Sequence, residues 1–294
     1  MQESWRFIDS GAHDGSFNMA ADAYLTHAAS SRTPVLRVYA WQPYAISVGH
    51  HQNVGDIDLG KCRRQGVDVV RRPTGGRAIF HAHEVTYAVI IPRDHFLYRQ
   101  NTLGIYNSIS QALTNGLRGL APGLALGPLD KVNGKLKYHE KFACFASSAR
   151  YEIHYESRKL VGSAQRRFEN AVLQHGSILL GDQHLELMDY LSSANGALKH
   201  AKHRLAQKTV SLGTALKRLV TYDEVVQCLQ YGFEESYGAK LHPEPLTSSE
   251  YRAINKLKSD YREGVSTLPL EDRGESSTHQ EGDRVGVQLI KTQS

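Results

Sequence analysis

Apolar and polar residues alternate along Trp5-Arg6-Phe7-Ile8-Asp9, which predicts a strand. Ser16 then opens a helix from Phe17 to Ala29, with Met19, Ala23 and Leu25 at helical spacing. Residues 35–39 and 45–49 read as strands on either side of a Gln42-Pro43 turn, and 67–71 and 85–91 add two more. Leu103, Tyr106, Ile109, Leu113, Leu117 and Leu120 recur every three or four positions, so 101–120 is one long amphipathic helix ended by Pro122 and Gly123. Residues 121–143 are rich in Gly, Pro and Lys and read as a basic loop. Short strands at 151–155, 159–161, 172–173 and 177–180, the last two separated by Gln174-His175-Gly176, suggest a small antiparallel sheet. Beyond Gly181 the spacing predicts helices at 185–191, 212–219, 222–237 and 248–261, with Thr221 and Thr247 as N-caps.

Composition narrows the class. In 294 residues, 40% hydrophobic and 22% charged are globular proportions, which exclude a collagen-like or wholly disordered chain. Purely apolar runs such as Ala88 to Ile91 fall far short of the roughly 20 residues that cross a bilayer, so no membrane partner is expected. The N-terminus lacks a basic start followed by an apolar stretch, and a cytoplasmic location is expected. Cys62, Cys144 and Cys228 are too sparse for a disulfide framework and are expected as free thiols. Residues 263–294 contain no aromatic residue and are loaded with Ser, Gly, Glu and Gln, which predicts a polar, disordered tail after one domain at 1–262.

The net charge of +5 is unevenly distributed: the tail carries −3 and the body +8. A positive body attracts acidic partners. There is no zinc-finger spacing, aromatic RNA-binding signature or long Lys/Arg block, so nucleic acid is not the expected partner.

Candidate chemistry begins at Arg71-Arg72-Pro73-Thr74-Gly75-Gly76-Arg77. A Gly-Gly pair alone is most simply a hairpin turn. Three crowded arginines require an anion or carboxylate, which makes a loop holding an acyl or phosphate group credible. Gly55 to Cys62 nearly matches a phosphate-binding loop but places Asp56 and Asp58 where amides should face phosphate, and reads better as a helix opening capped by Asp. His50-His51 and His81-Ala82-His83 raise a metal reading, yet no Cys or carboxylate cluster completes it, so no metal is expected. Cys144 in Phe142-Ala143-Cys144-Phe145 is either a small buried hydrophobe or a nucleophile activated by a nearby cation. Lys159 is either that cation or a solvated strand lysine.

Taken in order, these segments resemble the superfamily of biotin and lipoate protein ligases and lipoyl transferases over most of residues 1–240. The resemblance rests on Phe17-Asn18-Met19-Ala20, Arg71 to Ala78 before His81, Cys144-Phe145, Tyr151-Glu152-Ile153, Lys159 to Arg166 and Leu173 to Leu180. Cys-Phe together with Gly162-Ser163-Ala164-Gln165-Arg166 and Gln174-His175-Gly176-Ser177 looks most like the octanoyltransferases. One departure is Ala82, where relatives commonly carry Asp after His; Glu84 keeps the transferase pattern.

The resemblance implies an α+β fold, with a larger mixed or antiparallel sheet and a smaller one flanked by helices. It also implies transfer of octanoyl from acyl carrier protein to a lysine of a lipoyl domain, such as glycine cleavage H protein or a 2-oxoacid dehydrogenase E2. Cys144 would be the acylated nucleophile and Lys159 its activator. Arg72, Thr74, Gly75, Gly76, Arg77, His81, Gly162, Ser163, Ala164, Gln174, His175 and Gly176 would bind the substrate, with the Thr74-Gly75-Gly76-Arg77 loop and His81 lining the acyl pocket. No cofactor is implied, because the donor thioester is already activated. Three alternatives stay open: an ATP- and magnesium-dependent lipoate ligase, an amidotransferase between lipoyl-domain proteins, and a non-catalytic carrier-binding protein.

Overall fold

A computed structural model describes residues 3–29, 32–128, 151–192 and 195–262 of the protein. Cys144 and the 263–294 tail therefore lie outside the described residues. The main sheet has the order β10 (Val161–Arg167), β11 (Ala171–Leu179), β6 (Glu84–Pro92), β2 (Val35–Trp41), β1 (Glu3–His13) and β12 (Ala239–Pro243). β1 is parallel to β2 and β12, and the other neighbours are antiparallel. A second sheet orders β4 (Asp68–Arg71), β3 (Ala45–Val48) and β5 (Ile79–His81), and a third orders β7 (Leu124–Gly127), β8 (Glu152–Tyr155) and β9 (Arg158–Lys159). The fold is α+β with a mixed larger sheet, as the resemblance implies.

β6 and β11 are buried along their whole length, which is why β6 reads as a run of apolar residues rather than an alternation. Their two faces serve different layers. Val85, Tyr87, Val89 and Ile91 join the core under α3 (Thr102–Leu117) and α6 (Tyr222–Tyr237), while Ala88 and Ile90 face α1 (Gly15–His27). Each fully buried aliphatic side chain contributes about 1.5–3 kcal/mol. Thr221 and Thr247 cap α6 and α7 (Ser248–Leu257) through reciprocal boxes with Glu224 and Glu250. Arg6 then forks onto Glu250 at 2.7 and 2.8 Å, fastening α7 to β1.

Several expectations are corrected. Asp14, not Ser16, caps α1, because its carboxylate accepts from the Phe17 amide. Gln174-His175-Gly176 is no break: it lies inside continuous β11, which together with β10 joins the main sheet. Residues 124–127 form β7, not loop. The Gly75-Gly76 segment joins β4 to β5, which flank β3 rather than pairing with each other, so it is not a hairpin turn. The 185–191 helix is a 3-10 stretch over Gln183–Tyr190, and the 212–219 helix shortens to α5 (Leu212–Leu216). α2 (Leu59–Arg64) is capped by Asp58. Pattern reading missed α4 (Asn195–Lys208) and β12. Among the described residues no helix is long and apolar enough to cross a membrane.

Candidate active site

Strand register assembles the site. Arg37, Ala88, His175 and Ala164 lie side by side across β2, β6, β11 and β10. Two residues along, Tyr39, Thr86, Ser177 and Gly162 form a second row. Side chains two apart on a strand share a face, so both rows face the α1 side, where Ala88 leaves room for a side chain from the helix.

Asp22 of α1 fills that room. Its Oδ1 accepts from Arg37 at 2.7 Å, and its Oδ2 accepts from the Tyr39 hydroxyl and faces His175 Nδ1, both at 2.8 Å. His175 Nε2 in turn lies 2.6 Å from the Thr74 hydroxyl. Burial alone would raise the Asp22 pKa, but the His175 hydrogen bond and the Arg37 charge outweigh it and hold the carboxyl below its usual value. Burial dominates at His175 and lowers its pKa, favouring neutral imidazole. Beside the Asp22 carboxylate, that neutral ring carries its proton on Nδ1 and accepts from Thr74 on Nε2.

A second relay runs through β5. His81 Nδ1 faces Glu84 Oε1 and His81 Nε2 faces Ser47 Oγ, both at 2.7 Å. Glu84 also accepts from Thr86 and Ser177, each at 2.6 Å, so burial of this carboxylate is outweighed and its pKa stays low. Trp41 donates to Thr86 at 2.7 Å.

Both relays end on the glycine loop. Thr74 belongs to it, and Arg72, hydrogen-bonded to Ser47, donates back to the carbonyls of Gly75 and Arg77. Gly76 has φ +93, and an added Cβ would sit 2.7 Å from the Arg72 guanidinium, so conformation and space both demand glycine. Arg71 does not face an anion: its guanidinium donates to the carbonyls of Gly49, His50 and Gln52.

A cavity opens where the loop meets both sheets. Met19, Tyr39, Trp41, Ser47, Arg72 and Ile79 line it, together with His81, Thr86, 162–164 and 175–177. Its free volume of about 20 Å³ holds about one water. Gly176 keeps the wall thin, since a Cβ there would lie 2.5 Å from the Gly162 carbonyl.

Of the sequence-predicted residues, Arg72, His81, Gly162, Ser163, Ala164, His175 and Gly176 line this cavity, and Thr74, Gly75, Gly76 and Arg77 form the loop beside it. Gln174 is placed differently: it points to the opposite face of the sheet and donates to the Tyr87 hydroxyl, which pairs with Ser163. Lys159 does not line the cavity; it is buried in β9, its Nζ 3.0 Å from Glu152 Oε1. Cys144 lies outside the described residues. Sequence reasoning missed Asp22, Arg37, Tyr39, Trp41 and Ser47. Asp22 and Arg37 gave at most the signal of a charge set inside an apolar helix or strand, with nothing to name their partners.

The lipoyl protein ligase A/B catalytic domain model matches residues 14–234. An octanoyltransferase LipM of Geobacillus kaustophilus is 36% identical over 262 residues, spanning 87% of this chain and 94% of the relative. One from Bacillus subtilis is 34% identical with the same coverage. Among solved structures, a bi-partite lipoate protein ligase of Thermoplasma acidophilum superposes with a TM-score of 0.69 at 19% identity, over 87% of this chain and 92% of that one. A lipoate-protein ligase A bound with ATP gives 0.68 at 19% identity, over 87% and 94%.

Proposed function

The chain belongs to the lipoyl protein ligase A/B catalytic-domain family, and from that membership we propose that it is an acyltransferase moving octanoyl from acyl carrier protein to a lysine of a lipoyl domain. The observation that carries this reading is a single cavity on which the glycine loop and both histidine relays converge, in a chain spanning nearly the whole length of octanoyltransferase relatives.

The Cys144 thiol gives up its proton and the thiolate attacks the donor's thioester carbonyl; as the new sulfur–carbon bond forms, the bond to the carrier sulfur breaks, and the carrier leaves as a thiol with the proton that Cys144 gave up. The acceptor lysine, as free amine, then attacks the cysteinyl thioester, forming an amide as the carbon–sulfur bond to Cys144 breaks, and the proton lost by the amine returns to the released Cys144 sulfur. Lys159, held by Glu152, supplies positive charge for the thiolate and the developing oxyanion. At about 0.8 kcal/mol per buried CH₂, an eight-carbon chain gains several kcal/mol in the apolar part of the cavity. With about 20 Å³ of free volume, the cavity must widen to admit it. The body charge of +8 favours acidic carriers and lipoyl domains such as H protein or E2. The bond exchange needs neither ATP nor magnesium.

The test is to incubate the enzyme and an apo lipoyl domain with either octanoyl-carrier protein or free octanoate, each with and without ATP. Octanoylation of the domain that is indifferent to ATP supports transfer. Modification seen only with ATP and a free fatty acid makes the protein a ligase.

A further inference from the structure

Asp22 and Arg37 are both fully buried, an arrangement that a packed apolar pair could match in stability. Their geometry has a direction. Arg37 also donates to the Asn18 side chain at 2.8 Å and to Ser10 at 3.0 Å, and its guanidinium stacks 3.9 Å from the Tyr39 ring, so it is fixed on every side. Asp22, pinned in turn by Arg37 and Tyr39, has its remaining hydrogen bond aimed at His175, and His175 at Thr74 in the loop.

We propose that Asp22 is a positioning residue: through His175 it holds Thr74, and so sets how closely the glycine loop lies against the acyl cavity and which chain lengths enter. The inference rests on the acyl reading of that cavity. A carboxylate behind a histidine fixes the ring's orientation and which nitrogen carries its proton. Here the oriented nitrogen holds a loop rather than a metal or a nucleophile. Arg72 clamps the loop further along, at the Gly75 and Arg77 carbonyls; at the loop's start the His50 amide and Arg166 hold the Thr74 and Pro73 carbonyls, and His175 holds the Thr74 side chain. With room for about one water in the cavity beside it, a small loop displacement changes what the cavity admits. The charged and titratable groups acting on His175 are Asp22 of α1, Arg72 at the loop and His81 of β5, while Arg37 of β2 reaches it only through Asp22.

Asp22→Asn keeps the shape and removes the charge. Its readouts are kcat/KM with octanoyl and dodecanoyl donors and the nitrogen-bound proton of His175 by NMR. The variant is expected to change the octanoyl-to-dodecanoyl ratio by at least about fivefold and to lose the downfield Nδ1 proton signal. A ratio within about twofold of wild type, or equal losses on both donors, overturns the proposal, because a merely structural defect does not discriminate between chain lengths. If Asp22→Asn does not fold, Thr74→Val is expected to change the ratio and Thr74→Ser to restore it; unchanged selectivity in Thr74→Val overturns the proposal equally. A wild type that transfers no octanoyl defeats the transfer reading alone, and the relay is then read from the His175 signal and from affinity for free octanoate in wild type and variants.

Discussion

Trp41 stacks on His81 with ring centroids 4.0 Å apart and planes 12° from parallel, and both rings line the cavity. The protein's other tryptophan, Trp5, is buried in the opposite core against Phe233 and Tyr237. Trp41 emission therefore reports cavity occupancy. Titration with octanoate is expected to give a saturable change in fluorescence that Trp41→Phe abolishes. A response retained in that variant would locate binding elsewhere.

Lys159 and Glu152 form a buried pair, exposed by 3% and 2%. Removing one partner strands the other charge, so Lys159→Met is expected to lower stability by about 3 kcal/mol and kcat by at least about a hundredfold. The double variant Lys159→Met with Glu152→Gln is expected to regain most of the stability and none of the activity. Denaturant melts and single-turnover rates separate the two, and recovered activity would reduce Lys159 to a packing role.

Glu84 contributes to the acid sensitivity of the fold. Burial pushes its pKa up, but His81, Ser177 and Thr86 outweigh burial, so the folded value lies below the unfolded one. Such a group contributes stability that is full above its unfolded pKa, about 4.3, and is lost as pH falls through the lower folded value. Asp22 acts with the same sign. Wild-type Tm is therefore expected to fall below roughly pH 4, with a weaker pH dependence in Glu84→Gln, whose Tm at pH 7 is already lower. Matching slopes for the two proteins would remove Glu84 from this account.

Far from the cavity, the Arg6 hydrogen bond draws the Glu250 pKa down to about 2. This clamp's contribution is complete above the unfolded value, near 4.3, and disappears as pH falls toward 2. Glu250→Gln is expected to cost about 1–2 kcal/mol at pH 7 while leaving kcat and KM unchanged. A changed kcat would mean that α7 reaches the chemistry.

Where a face is purely apolar or a cap is local, the sequence reads well: α6 follows from its spacing and from Thr221 and Glu224 at its start. It misleads where polar residues enter a buried strand. Gln174-His175-Gly176 imitates a turn because hydrogen bonding and a thin cavity wall, not apolar burial, select those residues. β12 is short and half exposed, and α4 is crowded with Lys and His, so neither gives a strong period. In the site, the glycine loop, His81 and His175 are legible as a cluster of unusual residues. Asp22 and Arg37 are not, because their meaning lies in partners 15 and 153 positions away along the chain. The placement of Lys159 beside Glu152 is equally a matter of strand pairing, through the antiparallel β8 and β9.

Acyl transfer through Cys144 leaves a covalent adduct that intact-protein mass spectrometry detects. Wild type and Cys144→Ala are each mixed with octanoyl-carrier protein in the absence of ATP, and an apo lipoyl domain is then added. The account predicts an octanoyl adduct on wild type alone, discharged onto the lipoyl domain. No adduct on wild type, together with ATP-dependent modification of the domain by both proteins, would contradict it.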